Sequence, residues 1–64
     1  MKFYVVKLIE QEVYLKADET KFIEVIGKSN ASTMSYEAAH SVVNELNREC
    51  VLNNESKRYE MASA

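Results

Sequence analysis

The side chains best suited to chemistry in this sequence are one histidine, one cysteine and two short acidic clusters. His40 could serve as a general base or a metal ligand, and Cys50 could serve as a nucleophile. Paired carboxylates can divide the work of acid and base when a cleft gives them different environments. The acidic clusters comprise Glu10, Glu12, Asp18 and Glu19.

The positions of these residues argue against each of those reactions. His40 lies on the polar side of a predicted helix with only Glu37 in reach, which is typical of a solvated surface histidine. Cys50 continues the apolar side of that helix and is predicted to be a small core residue. The acidic clusters flank predicted turns, where carboxylates are solvating charges. One histidine and one cysteine are too few for a zinc site. We therefore predict a protein that is not an enzyme and binds no cofactor or metal.

Length and composition place the chain among small soluble proteins. Its 64 residues predict a single domain over residues 1–64, with 47% hydrophobic and 28% charged residues and a formal net charge of −2. A domain of this size buries only about 60% of its extended surface, which leaves little material for a cleft. The apolar run at 3–9 is interrupted by Lys7 and is too short for a secretory signal or a membrane span. We expect a cytoplasmic protein with Cys50 reduced.

The N-terminal half predicts a hairpin followed by an ambiguous segment. Residues 2–9 are apolar on both faces, as in a central strand, and residues 12–18 alternate like a half-exposed strand. The short link between them predicts a hairpin. Residues 20–27 carry apolar side chains at helical spacing but are rich in strand-forming types, so they are either a third strand, which we favour, or a short helix.

The C-terminal half predicts one helix and one strand. Ser35 is placed to cap a helix over residues 36–52, and the charge of Glu37 suits the first turn of that helix. The alternation of residues 57–62 predicts a last strand. The order β-β-(β)-α-β predicts an α+β fold, with one helix packed on a three- or four-stranded, mostly antiparallel sheet. The predicted core comprises Val6, Leu8, Val13, Leu15, Val42, Val43, Leu46 and either Tyr59 or Met61.

The first predicted strand carries more apolar side chains than a single helix can cover. Phe3, Val5 and Ile9 share one face, and Tyr4, Val6 and Leu8 share the other. The set that faces away from the helix, together with Tyr14, would form an exposed apolar patch of the kind that marks a partner surface. The alternative is that this set packs under the segment 22–26.

The segments Phe3-Tyr4-Val5-Val6-Lys7, Tyr14-Leu15 and Ala31-Ser32-Thr33-Met34-Ser35-Tyr36-Glu37-Ala38-Ala39 resemble the small single-domain proteins that bacteriophages encode in early gene clusters. The resemblance covers roughly residues 1–50. Members of that group take over host functions or counter host defence, anti-CRISPR inhibitors among them, and act mainly by binding a host protein. The resemblance implies a stoichiometric inhibitor in the cytoplasm of the host cell.

We therefore expect a non-enzymatic protein-binding module that occludes a surface of a bacterial host protein. Exposed Tyr4, Tyr14 and Tyr36 are the candidate anchors, because tyrosine offers a large contact area and a hydroxyl at low entropic cost. The polar side of the helix supplies candidate contacts around them. These polar candidates are Glu37, His40, Asn44, Glu45 and Arg48.

Two further expectations concern assembly and nucleic acid. A core this small supplies only about 3–5 kcal/mol, so we expect a homodimer that pairs a sheet face or an edge strand. Neither half of the chain has an excess of cations, which disfavours direct binding of nucleic acid. The alternative function is a small dimeric nucleic-acid-binding regulator. It would gather four lysines on one face: Lys2, Lys7, Lys16 and Lys28.

Overall fold

The computed structural model describes residues 2–64 as a four-stranded sheet with one helix. The sheet has the order β3-β2-β1-β4, and every neighbouring pair of strands is antiparallel. The α+β prediction is confirmed, and the ambiguous segment is a strand. The elements are β1 at Tyr4–Leu8, β2 at Val13–Asp18, β3 at Lys21–Ile26, a 3₁₀ turn at Lys28–Asn30, α1 at Tyr36–Leu52 and β4 at Tyr59–Ser63.

Strands β2 and β3 form a hairpin whose turn and end use left-handed backbone. Asp18 pairs with Lys21, so the turn consists of two residues, and the first of them, Glu19, has φ 57°. Gly27 follows β3 with φ 88°, and an added Cβ would meet no atom within 4 Å. Because side chains other than hydrogen disfavour positive φ, glycine is suited to this position by backbone conformation and not by lack of space.

Strands β1 and β2 separate soon after their hairpin, and the chain segment before the helix lies between them. The two strands are in register at Lys7 and Tyr14. At the start of β1, the Tyr4 N–H donates to the Met34 carbonyl at 2.8 Å, and the Met34 N–H donates to the Tyr4 carbonyl at 2.9 Å. Residues 32–34 therefore take the place beside β1 that a longer β2 would occupy.

The same segment is tied to β2 on its other side. The Ser32 N–H donates to the Leu15 carbonyl at 3.1 Å, and the Ala17 N–H donates to the Ser32 hydroxyl at 2.8 Å. These bonds satisfy two of the β2 groups that point toward β1 where the two strands have separated. Residues 32–34 thus act as a wedge that joins β1 to β2, and they fix where α1 begins.

Helix α1 begins and ends as the sequence predicts. The Ala38 N–H donates to the Ser35 hydroxyl at 3.2 Å, and Glu37 lies in the first turn, where its charge suits the helix dipole. The helix covers the β1 and β4 half of one sheet face. All predicted core residues lie in or against this cluster: Val6, Leu8, Leu15 and Tyr59 are buried, and Val13, Val42, Val43, Leu46 and Met61 pack against them, with Ala39 and Cys50 also buried.

A side-chain amide in the middle of α1 fastens the helix to β4. The Tyr59 N–H donates to the Asn47 side-chain oxygen at 2.7 Å, and the Asn47 amide nitrogen donates to the Tyr59 carbonyl at 3.1 Å. The sequence pattern places Asn47 among the polar residues of the helix surface, yet its side chain is half-buried and pairs with a strand as another strand would.

We expect Glu19→Gly to raise the free energy of unfolding by about 1 kcal/mol, because a residue with a Cβ is strained at positive φ. Its neighbour Thr20 is not among the residues with positive φ, so Thr20→Gly is the matched control and should lower stability. Urea unfolding followed by circular dichroism measures both. A Glu19→Gly protein less stable than the parent would contradict the strain.

We expect Asn47→Ala to lower the free energy of unfolding by about 2 kcal/mol, because it leaves a donor and an acceptor of Tyr59 without partners. The melting temperature should fall by roughly 8 to 16 °C. Asn44→Ala, in the exposed part of the same helix, is the control and should move it little. Equal melting temperatures for the two variants would show that the amide pair contributes nothing to stability.

Candidate protein-binding surface

Two aromatic rings stack on the exposed side of α1, and a third supports them from the sheet. The Tyr36 and His40 rings, one helical turn apart, have centroids 5.9 Å apart at an interplanar angle of 19°. The Tyr4 ring meets Tyr36 edge-on, with centroids 5.5 Å apart and an angle of 78°. The Asn44 amide nitrogen lies 3.3 Å from His40 Nδ1. We call Tyr4, Tyr36, His40 and Asn44 the aromatic ridge.

The backbone beneath the aromatic ridge is held at both ends. Tyr4 is paired with the wedge through Met34, and Tyr36 is the first residue of a helix whose cap is Ser35. Tyr36 keeps 54% of its surface exposed, as expected, whereas the expectation of an exposed Tyr4 is wrong, because its ring is half-buried against the core. The ridge therefore presents one large exposed ring on a fixed base, the arrangement that loses least entropy on binding.

The remaining polar candidates lie along the same helix. Glu37, Glu45 and Arg48 are all exposed. Because residues four apart in a helix share a side, Arg48 continues the series that begins at Tyr36. The structure thus brings four of the eight candidate residues into direct contact and leaves three more exposed on α1.

Tyr14, the eighth candidate, is not an exposed anchor, so that expectation is wrong. It is only 4% exposed and lies on the sheet face away from the helix. The Lys7 ammonium is 5.9 Å from the centre of its ring, and its hydroxyl donates to the Glu12 carboxylate at 3.2 Å. Burial raises the pKa of Tyr14, and the bond to Glu12 raises it further.

The apolar patch expected on that far face is present only in part: Phe3 and Ile9 are exposed, whereas Val5 and Tyr14 are buried. Val5 is 1% exposed, and the Lys7 chain lies across the face with its ammonium 3.2 Å from the Glu60 carboxylate. The alternative covering, by residues 22–26, is wrong, because β3 lies beside β2 within the sheet. A lysine can bury its hydrocarbon stem over apolar neighbours while its charge finds a partner, and sequence alternation does not reveal this.

A second polar cluster, not found from the sequence, lies at β3 and the start of β4. The Tyr59 hydroxyl is 3.4 Å from the Glu24 carboxylate, and the Lys57 ammonium is 3.7 Å from Glu24 and 3.9 Å from Glu55. The pKa of Tyr59 is raised, mainly because its hydroxyl is buried. The nearby Lys57 charge lowers this pKa and the Glu24 charge raises it. The cluster joins strands at opposite edges of the sheet.

The one cysteine and the one histidine lie in different environments. Cys50 is 2% exposed, as predicted for a core residue, and His40 is exposed on the ridge. Within residues 2–64, no three His, Cys, Asp or Glu side chains lie close enough to hold a metal ion. A shallow depression near the chain ends is lined by Lys2, Phe3, Ser63 and Ala64. None of the helices over this range is long and apolar enough to cross a membrane.

We expect alkaline pH to weaken the fold through its two buried tyrosines. Folding raises the pKa of Tyr14 and Tyr59 above 10.0, so the unfolded chain loses these protons first. The stabilisation is complete below about pH 10 and is lost as pH rises through the folded values. Urea unfolding at increasing pH should show this decline, and Tyr14→Phe and Tyr59→Phe should each make it shallower. Slopes equal to that of the parent in both variants would contradict the assignment.

Comparison with protein-family models, curated proteins and solved structures finds no match to this chain. A function must therefore be inferred from the residues and their geometry, which favour the aromatic ridge as the protein-binding surface.

Proposed function

We propose that the chain is a non-enzymatic protein-binding module that uses the aromatic ridge to occlude a surface of a bacterial host protein. The observation that carries this proposal is the stacked pair of Tyr36 and His40, with Tyr36 half-exposed and braced by Tyr4. Interface hot spots are enriched in large aromatic residues that enter a partner pocket with few rotatable bonds.

The surroundings of the ridge suit a protein partner. Asn44 offers amide groups directly beside His40, and Glu37 and Arg48 offer charges of opposite sign on the same helix. Exposed charges of this kind orient a partner and raise the association rate more than they raise affinity. The aromatic rings would supply the affinity and the helix charges the orientation.

The sequence resemblance to early bacteriophage proteins supports a role as an inhibitor or modulator. One of the resembling segments runs from Ala31 to Ala39, so it contains both the helix cap Ser35 and the exposed ring of Tyr36. An inhibitor that acts by occlusion needs no catalytic group, and its site of action would be the host cytoplasm.

The nucleic-acid alternative receives less support from the charge distribution. Of the four lysines that a dimer would have to gather, Lys7 already pairs with Glu60, and its side chain is only 12% exposed. A cation neutralised within its own chain releases no counterions from a phosphate backbone.

We expect Tyr36→Ala to weaken capture of a bacterial partner by at least about 30-fold in dissociation constant, the loss typical of a hot-spot aromatic. Val51→Ala, at an apolar residue of similar exposure on the same helix, should leave it unchanged. The partner is first isolated from bacterial lysate as a stoichiometric complex and then titrated in purified form by calorimetry. Circular dichroism checks that each variant is folded.

Two results would overturn the proposal. One is a Tyr36→Ala protein that binds the purified partner as tightly as the parent. The other is the absence of any stoichiometric host protein together with tight duplex DNA binding that weakens steeply with salt, which would favour the nucleic-acid regulator.

A further inference from the structure

The outer edge of β3 is the longest unpaired run of strand backbone in the described part of the chain. Within residues 2–64, β3 is bordered by β2 alone. The Gly27 N–H donates to the Glu12 carbonyl, so Gly27 points its backbone groups toward β2, and alternation turns those of Val25 and Ile23 the same way. The N–H and C=O groups of Phe22, Glu24 and Ile26 consequently point outward.

The other edge of the sheet is partly closed. Tyr59, the first residue of β4, has both outward groups bonded to the Asn47 side chain. At the β3 edge, by contrast, the Ile26 carbonyl is the one outward group with a partner among residues 2–64, the Asn30 side-chain amide at 3.0 Å. The groups of Phe22 and Glu24 thus form an open template for another extended strand.

The side chains along this edge are apolar and symmetric about one residue. Phe22, Ile23 and Ile26 are 40%, 36% and 71% exposed, and Val25 is half-buried. The segment Phe22–Ile26 has the same order of residue types from either end: a large apolar residue, a β-branched residue and then the central Glu24. An antiparallel strand of the same sequence, centred on Glu24, would place Phe22 opposite Ile26 and Ile23 opposite Val25.

We propose that β3 is the seam of a homodimer, in which two copies pair antiparallel across a two-fold axis that passes at Glu24. A two-fold interface requires a patch that is complementary to itself, and the palindromic apolar pattern meets this requirement. Pairing would join the two sheets into one of eight strands and provide partners for the outward groups of Phe22 and Glu24.

Charge is the remaining condition, because the axis brings two Glu24 carboxylates together. Each carboxylate already has the Lys57 ammonium at 3.7 Å and the Tyr59 hydroxyl at 3.4 Å. Each pair of Glu24 and Lys57 is neutral, and Glu55, 3.9 Å from the Lys57 ammonium, leaves the cluster of each copy with one net negative charge. The Lys57 ammonium of each copy thus weakens the like-charge repulsion between the two Glu24 carboxylates in this register.

The decisive experiment compares two lysine substitutions at equally exposed positions. Ile26 and Leu52 are both 71% exposed, but only Ile26 lies on the seam. Sedimentation equilibrium over micromolar to millimolar concentration should show the parent at twice its 7.4 kDa mass. Ile26→Lys should raise the dimer dissociation constant at least tenfold, and Leu52→Lys should leave it unchanged.

A second pair of variants tests the backbone itself. Glu24→Pro removes an outward N–H, which edge strands tolerate, together with the carboxylate that contacts Lys57 and Tyr59, and should give a folded monomer. Ser63→Pro, on β4 at the opposite edge, should leave the dimer intact. Circular dichroism establishes that each protein is folded, and if Glu24→Pro fails to fold, the lysine pair decides alone.

Three outcomes would overturn the dimer. A parent chain that stays monomeric throughout would leave the edge to a foreign extended segment. A dimer that resists Ile26→Lys, or one that Leu52→Lys weakens equally, would place the contact elsewhere. None of these measurements involves a host protein, so they succeed or fail independently of the proposed function.

Discussion

The two hydrogen bonds between Asn47 and Tyr59 are the constraint on which the arrangement of helix and sheet depends. A helix lying on a sheet face is usually held by apolar contacts, which permit sliding and rotation. Here a planar amide must meet both the N–H and the C=O of one particular residue, which fixes the axial position and the rotation of α1. That position buries Ala39 and Cys50 and leaves Tyr36 and His40 on the exposed side.

The wedge at residues 32–34 supplies the complementary constraint at the other end of the helix. It bonds to Tyr4 in β1 and, through Ser32, to Leu15 and Ala17 in β2. Since Tyr36 follows the wedge after only one further residue, its ring position relative to Tyr4 is set by backbone pairing. The edge-on contact between these rings is therefore built by the sheet as much as by the helix.

The sequence predicts those features whose causes are local. The cap at Ser35 and the apolar spacing of α1 act within a few residues, so the predicted bounds of the helix are correct. The predicted core is also correct, because strand alternation selects the sheet residues that face the helix and helical spacing selects the helix residues that face the sheet. Burial of Tyr14 escapes prediction because it depends on Lys7, a residue of another strand. The wedge and the Asn47 pair escape it because Ser32 and Asn47 read as ordinary polar residues until the fold supplies their distant partners.

Strands β1 and β2 are paired over only a short stretch, and this affects which part of the molecule unfolds locally. The β2–β3 hairpin is tied to the remaining structure at Lys7 with Tyr14, through Ser32, and by the polar cluster around Glu24. Helix α1, β1 and β4 share the denser apolar packing and the Asn47 bonds. Apart from Leu15, which is buried in the core, and Val13 beside it, the hairpin has only these few ties, so we expect its amides to exchange with solvent hydrogen by sub-global opening more readily than those of α1.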